Sequence, residues 1–176
     1  MTNWVTPGAD ATSTATPLAI LKGTAESTAA MPSMMDLFMG NTGGCIGETS
    51  AFLLIIGGIY LIYRKVITPT IPLVYIGTVA VLMLLFGGFD FQYMIQNIFA
   101  GGLILGAFFM ATDYATSPVT IKGQIIFAFG CGLIATIIRL YGGYPEGVSY
   151  SILLMNIATP LIDKYTQPKV FGGAKK

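Results

Sequence analysis

Five stretches of this 176-residue chain are apolar almost without a break, and short polar or glycine-rich stretches separate them. A helix needs roughly 20 apolar residues to cross a bilayer. The first stretch covers about 47–66, around the core AFLLIIGGIYLIY. The second covers about 70–86 (TIPLVYIGTVAVLMLLF), the third about 93–112 (YMIQNIFAGGLILGAFFMAT) and the fourth about 123–140 (GQIIFAFGCGLIATIIRL). The fifth, about 148–162 (VSYSILLMNIATPLI), is short and contains Pro160, where the helix is expected to bend or end. The pattern predicts an all-α, multi-pass membrane protein of about five transmembrane helices. It divides the chain into a mixed segment at 1–46, a membrane domain at 47–163 and a polar tail at 164–176.

Composition agrees with lipid as the solvent. The chain is 54% hydrophobic and 10% charged, with a mean hydropathy of +0.74, whereas soluble domains carry about 25% charged residues. There is no histidine, so every histidine-based triad, metal site or proton switch is excluded. Cys45 and Cys131 show no metal-ligand spacing, and no metal site is expected. A net charge of +1 gives no reason to expect a nucleic-acid partner.

Charge also orients the spans. Arg64, Lys65, Lys122, Lys164, Lys169, Lys175 and Lys176 fall on one side, with only Asp113 and Asp163 as acids. The other side holds Asp10, Glu26, Asp36, Asp90 and Glu146, with Glu48 at its edge and Lys22 as its base. The positive-inside rule places the tail in the cytoplasm and the first 46 residues outside. An outside segment needs a signal peptide or preceding spans, and Met1–Val5 has neither a basic nor an apolar leader region. The expectation is therefore an upstream portion with an odd number of crossings.

The outside segment contains GADATSTATPLAILK, rich in hydroxyls. Pro17 suits the first position of a helix, and Thr16 suits its N-cap. On local chemistry Thr16 caps a short surface helix. The same geometry would favour a phosphate on its oxygen.

DATSTAT, residues 10–16, resembles the Asp-x-x-Ser/Thr-x-Ala-Thr motif on which a flavin transferase attaches FMN. Thr14 stands where glycine is commoner. Longer stretches, GGCIGETSAFLLIIGGIYLIYRK (43–65), GGLILGAFFMATDYATSP (101–118) and IRLYGGYPEGVSYSILLMNIATPLIDKYTQPKVFG (138–172), resemble the C-terminal half of the RnfD/NqrB family. These are flavinylated membrane subunits of Rnf ion-translocating ferredoxin:NAD oxidoreductases and of sodium-pumping NADH:quinone reductases. The resemblance implies one half of a ten-helix, two-repeat subunit in a bacterial or archaeal cell membrane. It implies FMN in phosphoester linkage to Thr16, with Asp10, Ser13, Thr14 and Ala15 completing the attachment motif. It also implies other redox subunits and a flavin transferase as partners, and coupling to Na⁺ or H⁺ movement. The quinone-reducing homologue is the near alternative, and a non-redox transporter or channel half is the alternative of another class.

Glu48 has two readings, a charge favoured at a helix N-terminus and a cation or proton contact on an ion pathway. Asp113 is a second ion-pathway candidate, with a turn or cap as its structural reading. Arg139, near the outer end of the fourth span, is expected to pair with Glu146 or Asp90, with contact to a flavin phosphate as its second reading. Asn156 should serve as glue between helices. Gly102 and Gly106 form a small face, and Gly57, Gly58, Gly130 and Gly132 offer similar close approach. GNTGGCIG (40–47) reads as an outer loop or re-entrant approach, and Tyr60, Tyr63, Tyr141 and Tyr144 as interface anchors.

Overall fold

A computed structural model describes residues 16–23, 31–45, 47–144 and 146–168. Its helices are α1 (Pro17–Leu21), α2 (Met34–Met39), α3 (Ala51–Tyr63), α4 (Thr70–Phe86), α5 (Phe91–Phe99), α6 (Leu103–Leu105), α7 (Ile121–Tyr141) and α8 (Val148–Thr166). A π turn, Gly106–Met110, continues α6. No strand is present among the described residues.

Helix starts follow from local chemistry. Ser33, Ser50, Asp90 and Thr120 have extended backbones, and their side-chain oxygens accept from the N–H groups that open α2, α3, α5 and α7. Each cap satisfies a donor that the first helical turn leaves without a carbonyl. Helix α2 stops at Gly40, whose φ of 96° is left-handed.

The core forms where α4 meets α7. Ile71, Tyr75, Val79 and Met83, spaced four apart, face Phe127, Ala128, Cys131 and Ala135. Gly132 permits the approach, since a Cβ there would lie 2.6 Å from Thr78 Cβ and 3.2 Å from the Tyr75 carbonyl oxygen. Helix α8 adds Val148 and Ile152 to the same core. Buried Ser151 donates to the Val148 carbonyl at 2.7 Å and accepts from the Tyr75 hydroxyl at 2.7 Å, so neither buried hydroxyl is wasted.

Outward faces are apolar as well. Leu53, Ile59, Leu73, Leu153 and Ile157 are each more than half exposed. Such faces call for lipid or protein neighbours. By length and hydropathy Ile121–Tyr141 can cross a membrane alone, and α5 with Leu103–Met110 passes as a bent pair. Ala51–Tyr63 and Thr70–Phe86 are shorter apolar helices, and among the described residues no other helix is long and apolar enough to cross.

One expectation is corrected. The third stretch is not one straight helix, because it bends by 65° between Phe99 and Leu103. Gly101, at φ +74°, supplies a backbone conformation that other residues resist. Of the two outcomes expected at Pro160, a bend or an end, the end does not occur, since the fifth helix runs on to Thr166. Residues 1–15, with the rest of the proposed attachment motif at Asp10, Ser13, Thr14 and Ala15, lie outside the described residues.

Candidate functional site

Thr16 is the N-cap of α1, with an extended backbone and a side-chain oxygen accepting from Ala19 N at 3.2 Å. Pro17 occupies the first helical position. The cap reading of the Thr-Pro pair therefore holds. Helix α1 has only five residues, so its dipole adds little. Leu18 of α1 packs with Leu37 and Ala100, tying the short helix to α2 and to the bend after α5.

Thr16, Thr42, Gly43, Glu48, Phe99 and Gly101 share one small pocket. Its free space is ≈ 10 Å³, about one water. Thr42, Gly43 and Gly44 therefore line the same pocket as Thr16. Glu48 sits in the turn ahead of α3 rather than in its first turn, and its Oε1 accepts from Cys45 N at 2.9 Å. Its Oε2 faces the bend, 3.3 Å from where a Gly102 Cβ would stand. The Glu48 charge, followed by partial burial, raises the Cys45 thiol pKa.

Glu146 approaches the bend from the loop before α8. Its Oε1 is buried without a hydrogen-bond partner, and would stand 3.1 Å from a Cβ at Gly101. Burial raises its pKa above the ordinary carboxylate value, and Glu48 adds to the rise while Arg139 opposes it. The expected pairing of Arg139 is corrected. Its terminal nitrogens donate to the main-chain carbonyls of Asn97 and Ala100, because the bend exposes those oxygens. Asp90 is occupied in capping α5, accepting from Gln92 N at 2.8 Å.

Asp113 does not join this group. It lies in a turn beyond the π turn, accepting from Thr116 Oγ1 at 3.3 Å on its side chain and from Ser117 N at 3.0 Å on its carbonyl. Asn156 Oδ1 is buried with no hydrogen-bond partner among the described residues. Lys22 was missed as a structural residue. Its ammonium donates to the carbonyls of Ile138, Gly142 and Tyr144, which end α7. The signal was its isolation as the one base of an otherwise acidic segment.

The fit of a flavin can be tested at Thr16. An ester oxygen could still accept from Ala19 N, so attachment costs no hydrogen bond made by that oxygen. A space of about one water cannot enclose a flavin ring, so a flavin held at Thr16 would have to lie outside this pocket.

An all-helical apolar chain with one helix long and apolar enough to cross a membrane, and a second candidate broken by a sharp bend, fits the class of helical membrane proteins. The chain belongs to the NQR2, RnfD, RnfE family, which matches residues 1–172. It is 59% identical over 171 residues to the D subunit of the Na(+)-translocating ferredoxin:NAD(+) oxidoreductase complex of Acetobacterium woodii, covering 96% of this chain and 52% of that protein. It is 54% identical over 186 residues to the D subunit of the proton-translocating ferredoxin:NAD(+) oxidoreductase complex of Clostridium ljungdahlii, covering 98% and 56%. A third relative, the D subunit of the ion-translocating oxidoreductase complex of Halorhodospira halophila, is 47% identical over 76% of this chain and 38% of its own length. The chain thus spans about half the length of the first two relatives.

Proposed function

We propose that this chain is the flavin-carrying half of the RnfD-type subunit in an ion-translocating ferredoxin:NAD oxidoreductase. FMN is attached through its phosphate to Thr16, with Asp10, Ser13, Thr14 and Ala15 read by the transferase. The carrying observation is the place of Thr16, at a helix cap in a pocket with Glu48 and Gly101, in a chain 59% identical to such a protein. The flavin supplies one-electron and two-electron transfer when bound. The chain supplies the tether, the buried seat of α1 and the charges around the bend. The protein crosses the cell membrane five times in this half, with 1–46 outside and 164–176 in the cytoplasm, and meets further redox subunits there. Glu48 and Asp113 are proposed as contacts on the path of Na⁺ or H⁺.

Thr16→Val tests the reading, because it keeps the branched shape and removes the oxygen. Co-expressed with the transferase, wild type should carry the FMN mass on the Thr16 peptide. The variant should lose it, together with ferredoxin:NAD activity, while remaining in the membrane. FMN mass on Thr12 or Thr14, or no flavin on wild type, would overturn the assignment.

A further inference from the structure

In an unbroken helix the carbonyls of Asn97 and Ala100 would accept from the N–H groups four residues on. The 65° bend removes those partners inside the protein. Leaving such carbonyls bare in an apolar setting is expensive. Arg139 takes them both. The residue is 5% exposed, and one terminal nitrogen donates to Asn97 O while the other reaches Ala100 O at 3.4 Å.

The same point joins three other pieces. A Cβ at Gly101 would stand 3.1 Å from Glu146 Oε1, 3.3 Å from Leu18 Cδ2 and 3.6 Å from Arg139 Nη2. Arg139 and Lys22 also line one cavity of ≈ 160 Å³ with Tyr93 and Asn97. Lys22 then fastens α1 to carbonyls on either side of Arg139 in sequence, at and just beyond the end of α7.

Carbonyls at the end of a broken membrane helix form a site for a cation. Here the cation is tethered. We propose that Arg139 is a positioning residue: its guanidinium fixes the bend, and through Leu18 and Lys22 it fixes the seat of α1 and the position of Thr16. Its hold depends on the two carbonyls and not on Glu146, because Glu146 Oε1 accepts no hydrogen bond. The link to the flavin rests on the reading that Thr16 carries it. The link to the bend does not.

Amide hydrogen exchange of the purified complex, in wild type and in Arg139→Lys, Arg139→Met and Glu146→Gln, tests this. Arg139→Met removes all donors and should speed exchange at 100–104 by about tenfold or more, while 70–86 stays at the wild-type rate. A lysine cannot span both carbonyls, so Arg139→Lys should speed exchange there several-fold. Glu146→Gln should leave it unchanged. Equal exchange in Arg139→Lys and wild type overturns the proposal, as does Glu146→Gln matching Arg139→Met. If Arg139→Met does not accumulate, the lysine variant decides. Flavin fluorescence of the denatured protein separately reports whether Thr16 is loaded. Exchange at 17–22 should also speed in Arg139→Met, and to a smaller extent in Arg139→Lys, because α1 loses its seat against the bend. Unchanged exchange at 17–22 in both variants overturns the link to α1, whereas an unloaded wild type overturns only the flavin assignment.

Discussion

Lys22 Nζ donates to the carbonyl oxygen of Tyr144 at 2.8 Å, joining positions 122 residues apart. With the carbonyls of Ile138 and Gly142 it neutralises the end of α7, where the helix dipole leaves negative charge. Lys22→Met keeps the aliphatic stem and removes the donors. It should cost about 1–3 kcal/mol and release α1. The expected outcome is faster protease cleavage within 16–31 in membrane-embedded complex. Wild-type cleavage would contradict the docking role.

Glu146 and pH form the second case. Its folded pKa lies above the unfolded value, because burial outweighs the attraction of Arg139. A raised carboxylate opposes folding when ionised, so the penalty is absent below the usual carboxylate pKa and complete above the folded one. Glu146→Gln removes the charge. Its apparent melting temperature should exceed that of wild type at pH 8, and the difference should shrink as pH falls toward 4. A constant difference across that window would count against the buried charge.

Cys45 gives a reactivity test. The Glu48 carboxylate beside it disfavours the thiolate, which is the reactive form. Glu48→Gln should therefore raise the rate of Cys45 alkylation at pH 8, read by mass spectrometry of the Cys45 peptide. No change would place Glu48 out of electrostatic reach.

Gly132 tests the α4–α7 approach. An added methyl would lie 2.6 Å from Thr78 Cβ, so the two helices must move apart. Gly132→Ala should destabilise by roughly 1–3 kcal/mol, lowering the melting temperature of the complex. Gly77→Ala is the control, since nothing lies within 4 Å of a Cβ there.

Orientation is separately testable. Cysteines at Ala25 and Ala174, in a background without Cys45 and Cys131, should differ toward an impermeant thiol reagent on intact cells. Labelling at Ala25 and protection at Ala174 are expected from the lysine count.

What could be read from the sequence depended on which interactions are local. Thr70–Phe86 emerged with both ends as read, because glycine follows a continuous apolar run. Thr16 emerged as a cap because threonine followed by proline is a local signal. The bend at 100–102 did not, since hydropathy averaged over 20 residues treats Gly101 and Gly102 as ordinary membrane residues. The partners of Arg139 followed from that miss. A reader of side chains looks for a carboxylate, whereas the acceptors were main-chain oxygens of a turn that hydropathy cannot see. Asp10, Ser13, Thr14 and Ala15 keep the standing of a motif, since they lie outside the described residues.

The π turn at Gly106–Met110 has a consequence for how this helix tolerates change. Its Ala111 N–H reaches back five residues to Gly106 O, so the turn holds one residue more than an α-helix would place there. A single deletion within 106–110 need not break the helix. It would let the turn close as an ordinary one with both flanks facing as before, whereas a regular α-helix that kept all five residues would swing one flank by about 100° around the axis. Gly106 would then no longer meet Val148, or Phe108 would leave Gly58. The turn thus acts as a phase corrector, taking up the extra residue while each half of the helix keeps its own neighbours.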